Sequence, residues 1–277
     1  MTKASLMVRS GCMALLVMAA GCAVIQSPAE RAAVIAAEAR LLEVQLPASA
    51  LKAYLRQPAA ANTRRLTIYL ESDGAPWLAP DRPPADPTPI KPLVLRMAAA
   101  DPSSPVAYLG RPCQYLDAVE LAKCDPALWT RGRFSETAVA ATNRAVSKLK
   151  ERSGALRIAL VGYSGGGALG ALVAARRTDV ECLVSVASPL DTAAWTRALG
   201  VSPLRESLNP ADVASGLATV RQTHFTGAAD RVVPPATIGR FIASQRATRI
   251  VNRAAFDHEC CWADEWPQLR AQSCLAD

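Results

Sequence analysis

Histidine is scarce in this chain, with two in 277 residues. No C-x-x-C pair accompanies them, so the common ligand patterns of a zinc site are missing and no metal is expected. The formal charge of +7 is scattered, with no run of five or six basic residues. That describes an evenly solvated surface and gives no sign of a nucleic-acid partner. No G-x-x-x-x-G-K-[ST] is present, which excludes a P-loop. No apolar run reaches the ~20 residues that span a bilayer. There is no internal repeat, and no linker with a shift in composition divides the chain after its N-terminus. A single domain is expected there.

What is present begins with a secretion-type leader. "MTKASLMVRS" carries Lys3 and Arg9 and no acid, and the short apolar run Met13 to Ala20 follows. This is the layout of a signal peptide over residues 1–21. The "AAGC" ending at Cys22 resembles the lipobox of bacterial lipoproteins, with Ala19 where Leu is usual. The resemblance implies cleavage before Cys22, lipid attachment to that cysteine, and a membrane-anchored or periplasmic location. Removing residues 1–21 takes away Lys3 and Arg9 and lowers the charge from +7 to +5.

Export places the cysteines in an oxidising compartment. Cys12 lies in the leader and Cys22 at the lipid site, which leaves Cys113, Cys124, Cys182, Cys260, Cys261 and Cys274. Sequence alone does not choose among their pairings. Cys113 and Cys124 bracket a short loop and form a candidate disulfide. Cys274 could close onto Cys260 or Cys261. Cys182, inside the apolar "ECLVSVAS", reads as a free thiol in the core.

Half of the residues are hydrophobic, 51% against 20% charged, enough for a sizeable core. Residues 22–63 read as an N-terminal helical segment. Its amphipathic stretch from Ser27 to Leu46 has Ser27 as N-cap and Pro28 at the first helical position. Strand-like "RRLTIYLES", "PVAYLG", "ALRIALVGYS", "VECLVSVAS", "VRQTHFTG" and "TRIVN" follow. Between them lie helical "IKPLVLRMAAAD", "FSETAVAATNRAVSKLKERSG", "GGGALGALVAARR" and, last, "ADEWPQLRAQSC". "GAPWLAPDRPPADPTP" is a proline-rich loop. Ser135 and Gly154 bound the second helix as caps. Alternating strands and helices over residues 64–277, with near-continuous apolar strands, predict an α/β class with a mostly parallel sheet.

Four glycines crowd Ser164 in "GYSGGG". Gly162 to Gly166 spell G-x-S-x-G between a strand and a helix, a turn that presents the serine hydroxyl at the sheet edge. Small neighbours permit so sharp a turn. The N–H of Gly165 then opens a helix, where orphan donors favour negative charge. Gly165, Gly167 and Gly170 also spell G-x-G-x-x-G. That dinucleotide fingerprint wants an acid at the end of the next strand, whereas Asp179 and Glu181 stand at its start, so no cofactor is expected.

A serine nucleophile needs a base, and the base an orienting acid. His224 lies inside a strand and reads as packed. His258, in the loop "AAFDHECCW", is the candidate base. Asp230, after the turn at Gly227, is the candidate acid. Asp257 adjoins the histidine but points elsewhere in extended backbone. Asp191 in "SPLDTAAW" is the rival, and could equally cap the helix that follows.

"GYSGGG", "GAADRVVP" and "FDHECCW" resemble the three catalytic stretches of the serine α/β-hydrolase superfamily, in the order Ser164, Asp230, His258. The resemblance runs from about Arg64 to the C-terminus. It implies the α/β-hydrolase fold, with helices on both sheet faces and a small cap from Leu190 to Leu217. It implies hydrolysis of an ester-type acyl bond with a small-molecule or acyl substrate. The oxyanion donors would be Gly165 with Gly74 or Ala75, Asp73 standing where a histidine is usual. Peptidase and thioesterase activities are alternatives, as is a silent binding or scaffold role on the same fold. "AYLGRPCQYL" through "DPALWTRGRF" resembles a segment that recurs in bacterial exported hydrolases.

Overall fold

The apolar strands assemble into one eight-stranded sheet. The computed structural model describes residues 26–46, 50–57, 64–75, 77–79 and 81–276. The leader and Cys22 lie outside the described residues. In chain order the strands are β1 (Leu42–Glu43), β2 (Ala53–Arg56), β3 (Arg65–Leu70), β4 (Val106–Leu109), β5 (Arg157–Tyr163), β6 (Val180–Val186), β7 (Arg221–Gly227) and β8 (Thr248–Arg253). Their spatial order is β1-β2-β4-β3-β5-β6-β7-β8. β2 is antiparallel to both β1 and β4, and every other pair is parallel.

Helices α1 (Pro28–Glu38), α2 (Leu93–Ala100), α3 (Ala118–Leu121), α4 (Glu136–Ser153), α5 (Gly165–Ala174), α6 (Thr192–Leu199), α7 (Pro210–Val213), α8 (Gly239–Ala243) and α9 (Trp266–Arg270) fill the connections. The period-2 alternation of strand side chains splits the core into two layers. Tyr69, Val161, Val184 and Phe225 face α1, α2 and α9. Ile68, Leu160 and Leu183 face α4, α5 and α8. Burying one such side chain contributes about 1.5–3 kcal/mol. Trp266 is fully buried and donates through Nε1 to Tyr69 Oη at 2.9 Å, so its polar end is satisfied. Among the described residues, no helix is long and apolar enough to cross a membrane.

Local signals act as the sequence predicts. Ser27 and Glu30 form a reciprocal capping box ahead of Pro28. Ser135 accepts from Ala138 N–H, and Gly154 ends α4 at φ 68°. Pro267 sits in the first turn of α9, where its missing N–H costs nothing.

Three expectations need correction. The first helix does not reach Leu46: it ends at Glu38, Arg40 takes φ 56°, and the chain enters β1. With β2, this stretch extends the sheet antiparallel to the rest, so the segment before Arg64 is not simply helical. Cys182 is not a free thiol. It pairs with Cys274 across 92 residues at a Cα–Cα distance of 5.8 Å. The C-terminal segment lies against the start of β6 and β7, with Cys274 N–H donating to Thr223 Oγ1. Cys260 and Cys261 then pair with each other, not with Cys274. The Cys113–Cys124 bridge forms as expected, at a Cα–Cα distance of 6.1 Å.

Candidate active site

Ser164 sits at the sharp turn between β5 and α5, with φ 51° and ψ −127°. A non-glycine residue rarely takes this conformation, and it persists only where its surroundings fix it. The flanking glycines make it possible. A Cβ on Gly162 would stand 2.3 Å from the Gly166 carbonyl, and one on Gly166 would stand 2.2 Å from Leu70 O. That is why the chain crowds its smallest residues around this serine.

Two further strands supply its partners. Asp230 follows β7 and is buried, its Oδ1 accepting from Val232 N–H and Val233 N–H, both at 2.8 Å. Its Oδ2 faces His258 Nδ1 at 2.9 Å. His258 Nε2 faces Ser164 Oγ at 3.1 Å. Serine, histidine and aspartate thus form one unbroken relay. With Asp230 as acceptor, Nδ1 carries the imidazole proton and Nε2 is left to accept from the serine.

The loop bearing His258 is held from several directions. Tyr163 lies with its ring 5.2 Å from the imidazole and donates its hydroxyl to His258 O at 2.7 Å. Trp262 Nε1 donates to the same carbonyl at 3.0 Å. Asp257, next in sequence to the histidine, turns away and accepts from Cys260 N–H and Glu259 N–H. Those backbone donors, Cys260 first, hold its carboxyl below the ordinary value.

The rival residues have other work. Asp191 caps α6, accepting from Ala193 N–H at 3.1 Å and Ala194 N–H at 3.2 Å. His224 is fully buried in β7, with Nδ1 against Ser185 Oγ at 2.7 Å and its ring edge-on to Phe241. Burial lowers its pKa to about 3, so it stays neutral. The dinucleotide reading has no support in the layout, because Asp179 precedes β6 and pairs with Lys150 and Arg177. Among the described residues, no cluster of His, Cys, Asp and Glu is arranged to hold a metal ion.

The far side of Ser164 differs from the expectation. Gly165 N–H opens α5 and meets no acceptor among the described residues. The other two expected donors are engaged: Gly74 N–H reaches Ser72 Oγ at 3.3 Å and Ala75 N–H donates to Pro87 O at 3.0 Å. Gly74, at φ 84°, turns the chain back onto Pro87 and consumes both groups. Asp73 fills the space, its Oδ1 only 2.0 Å from where a Gly165 side chain would begin. It pairs with Arg111 Nη1 at 2.9 Å and Arg133 Nη1 at 3.1 Å. Burial alone would raise its pKa, but the Arg133 and Arg111 guanidiniums outweigh that and hold it below the ordinary value. Sequence reasoning missed both arginines. Asp73 in place of a histidine was the available signal, because a carboxylate at that position requires a counter-charge.

No protein-family model matches the chain, and no curated protein matches it by sequence. Solved structures do match. Est1E from Butyrivibrio proteoclasticus superposes with a TM-score of 0.59 at 12% identity, over 84% of this chain and 96% of its own. A dienelactone hydrolase from Klebsiella pneumoniae superposes at 0.57 and 16% identity, over 83% and 96%. A proline iminopeptidase from Mycobacterium smegmatis superposes at 0.59 and 14% identity, again over 83% and 96%. The chain has the α/β-hydrolase fold. At these identities the likeness fixes the architecture and leaves the substrate open, since the two neighbours whose names state an activity state different ones.

Proposed function

We propose that this protein is a serine hydrolase that cleaves an ester-type acyl bond through an acyl-enzyme. The observation that carries this reading is the relay from Ser164 Oγ to His258 Nε2 at 3.1 Å and from Nδ1 to Asp230 at 2.9 Å. His258 takes the hydroxyl proton as Ser164 Oγ attacks the carbonyl carbon. The carbonyl oxygen becomes an oxyanion facing Gly165 N–H at the start of α5. Asp230 holds the imidazole orientation and stabilises the imidazolium. The tetrahedral intermediate collapses, and His258 returns the proton to the leaving alcohol. Water, activated by the same imidazole, then attacks the acyl-enzyme. The acid leaves and Ser164 is restored.

A silent member of the fold would have no need to keep an oriented, part-exposed imidazole against its serine. The retained base therefore favours an enzyme over a binding module. Esters come before amides and thioesters because they are the least demanding acyl substrates of such a site. The leader and Cys22 support export and lipid anchoring, and the three disulfides suit an oxidising compartment.

Rapid mixing with a 4-nitrophenyl ester tests the reading. A burst of 4-nitrophenolate close to one equivalent per active site, followed by slower turnover, is expected. No turnover across ester, thioester and amide panels by the folded, oxidised protein would favour the binding-module alternative.

A further inference from the structure

Two arginines meet one carboxylate beside the nucleophile. Asp73 is held by Arg111 and Arg133 together, although one guanidinium would neutralise it. The second leaves a local excess of one positive charge. Arg111 is the structural partner: it is 4% exposed, stacks on Phe134 and donates Nη2 to Arg133 O at 2.6 Å. Even so, its buried Nε finds no acceptor among the described residues. Arg133 is placed differently. Its Nε donates to Thr130 O and its Nη1 to Asp73, while Nη2 meets no acceptor among the described residues. Its side chain keeps 13% of its surface in solvent.

The position of this surplus matters. Asp73 Oδ1 touches Gly165, so the pair of guanidiniums begins one carboxylate's width from the nucleophile turn. The N-terminus of α5 there already favours negative charge. Glu71, which also acts on Arg111, is fully buried, and its carboxyl oxygens are already taken by Ser72 N–H and by the Tyr108 and Tyr115 hydroxyls. Arg133 Nη2, with its N–H groups unused, can donate a charge-assisted hydrogen bond to a carboxylate.

We propose that the site takes esters bearing a carboxylate, and that Arg133, backed by Arg111, receives that group beside Ser164. This rests on the serine-hydrolase reading for its chemistry and on the Asp73–Arg111–Arg133 cluster for its selectivity.

The experiment has a binding arm and a turnover arm, both on the full chain. In Ser164→Ala, titration calorimetry compares monomethyl glutarate with neutral dimethyl glutarate. The monoanion should bind roughly ten-fold tighter or more, and the gap should shrink with added salt. It should close in Ser164→Ala/Arg133→Gln and return in part with Arg133→Lys. In the wild type, kcat/KM for 4-nitrophenyl hemiglutarate should exceed that for 4-nitrophenyl butyrate by a similar factor. Arg133→Gln should remove that preference while changing the neutral ester by no more than about three-fold. Equal binding of the two glutarate esters overturns the proposal, as does an equal loss on both nitrophenyl esters, which would reduce Arg133 to a counter-ion for Asp73. Fluorophosphonate labelling separates the two readings. Label on Ser164 without charge preference defeats the carboxylate site alone, whereas charge preference without label defeats the hydrolase reading alone.

Discussion

The two sides of Ser164 are built on different principles. On one side, His258 and Asp230 form a hydrogen-bonded chain to Ser164 in which each carboxylate and imidazole polar atom has a defined partner. On the other, Asp73, Arg111 and Arg133 form a charged cluster with guanidinium N–H groups that meet no acceptor among the described residues. In the proposed reaction, the first arrangement moves a proton. In the proposal, the second receives a substrate carboxylate. Mutations on the two sides should therefore fail differently.

The largest effects belong to the relay. Ser164→Ala or His258→Ala should lower kcat by ~10⁴-fold or more with little change in unfolding midpoint. Asp230→Asn should cost about 10⁴-fold by misorienting the imidazole. Asp191→Asn should instead lose part of the α6 cap, about 1 kcal/mol of stability, with turnover nearly intact. Steady-state kinetics paired with urea unfolding reads both, and a reversed pattern would move the acid role to Asp191.

On the charged side the stability signal should come first. Asp73→Ala leaves Arg111 buried without its carboxylate, and a loss of about 2 kcal/mol is expected, below the full cost for a wholly buried pair because Asp73 is 21% exposed. The acid dependence follows from the sign of the shift. Asp73 is held below its ordinary value, so it contributes stability above its unfolded pKa, lost as pH falls through the folded one. The gap between wild type and Asp73→Ala should therefore narrow in acid.

Glu71, two residues earlier, carries the opposite sign. Its carboxyl is raised, mainly by burial. The folded state then binds its proton more tightly, so that contribution is full below the unfolded pKa and fades as pH rises through the folded value. Glu71→Gln should flatten the decline in stability toward neutral pH. This is the smallest effect predicted, read from urea midpoints between pH 4 and 8.

The same contrast separates what the sequence discloses from what it hides. Ser164, Asp230 and His258 each lie in a short stretch with its own local signature, and their order along the chain ties them together. His224 was readable as packed because it stands mid-strand. The helix caps are equally local. Arg111 and Arg133 carry no such signature, because Asp73 lies 38 and 60 residues away and only the fold joins them. Cys182 and Cys274 met for the same reason, across 92 residues. β1 and β2 escaped notice because two and four residues are too few to show a period. The resemblance implies Gly74 or Ala75 as a donor, but only the structure reveals that Ser72 Oγ and Pro87 O engage their N–H groups.

The central claim is that Ser164 is an activated nucleophile. Fluorophosphonate treatment of the full chain, followed by peptide mapping, tests it most directly. Label is expected on Ser164 in the wild type and none in His258→Ala. An unlabelled Ser164 in a folded protein with its disulfides formed, or label that persists without His258, would contradict it.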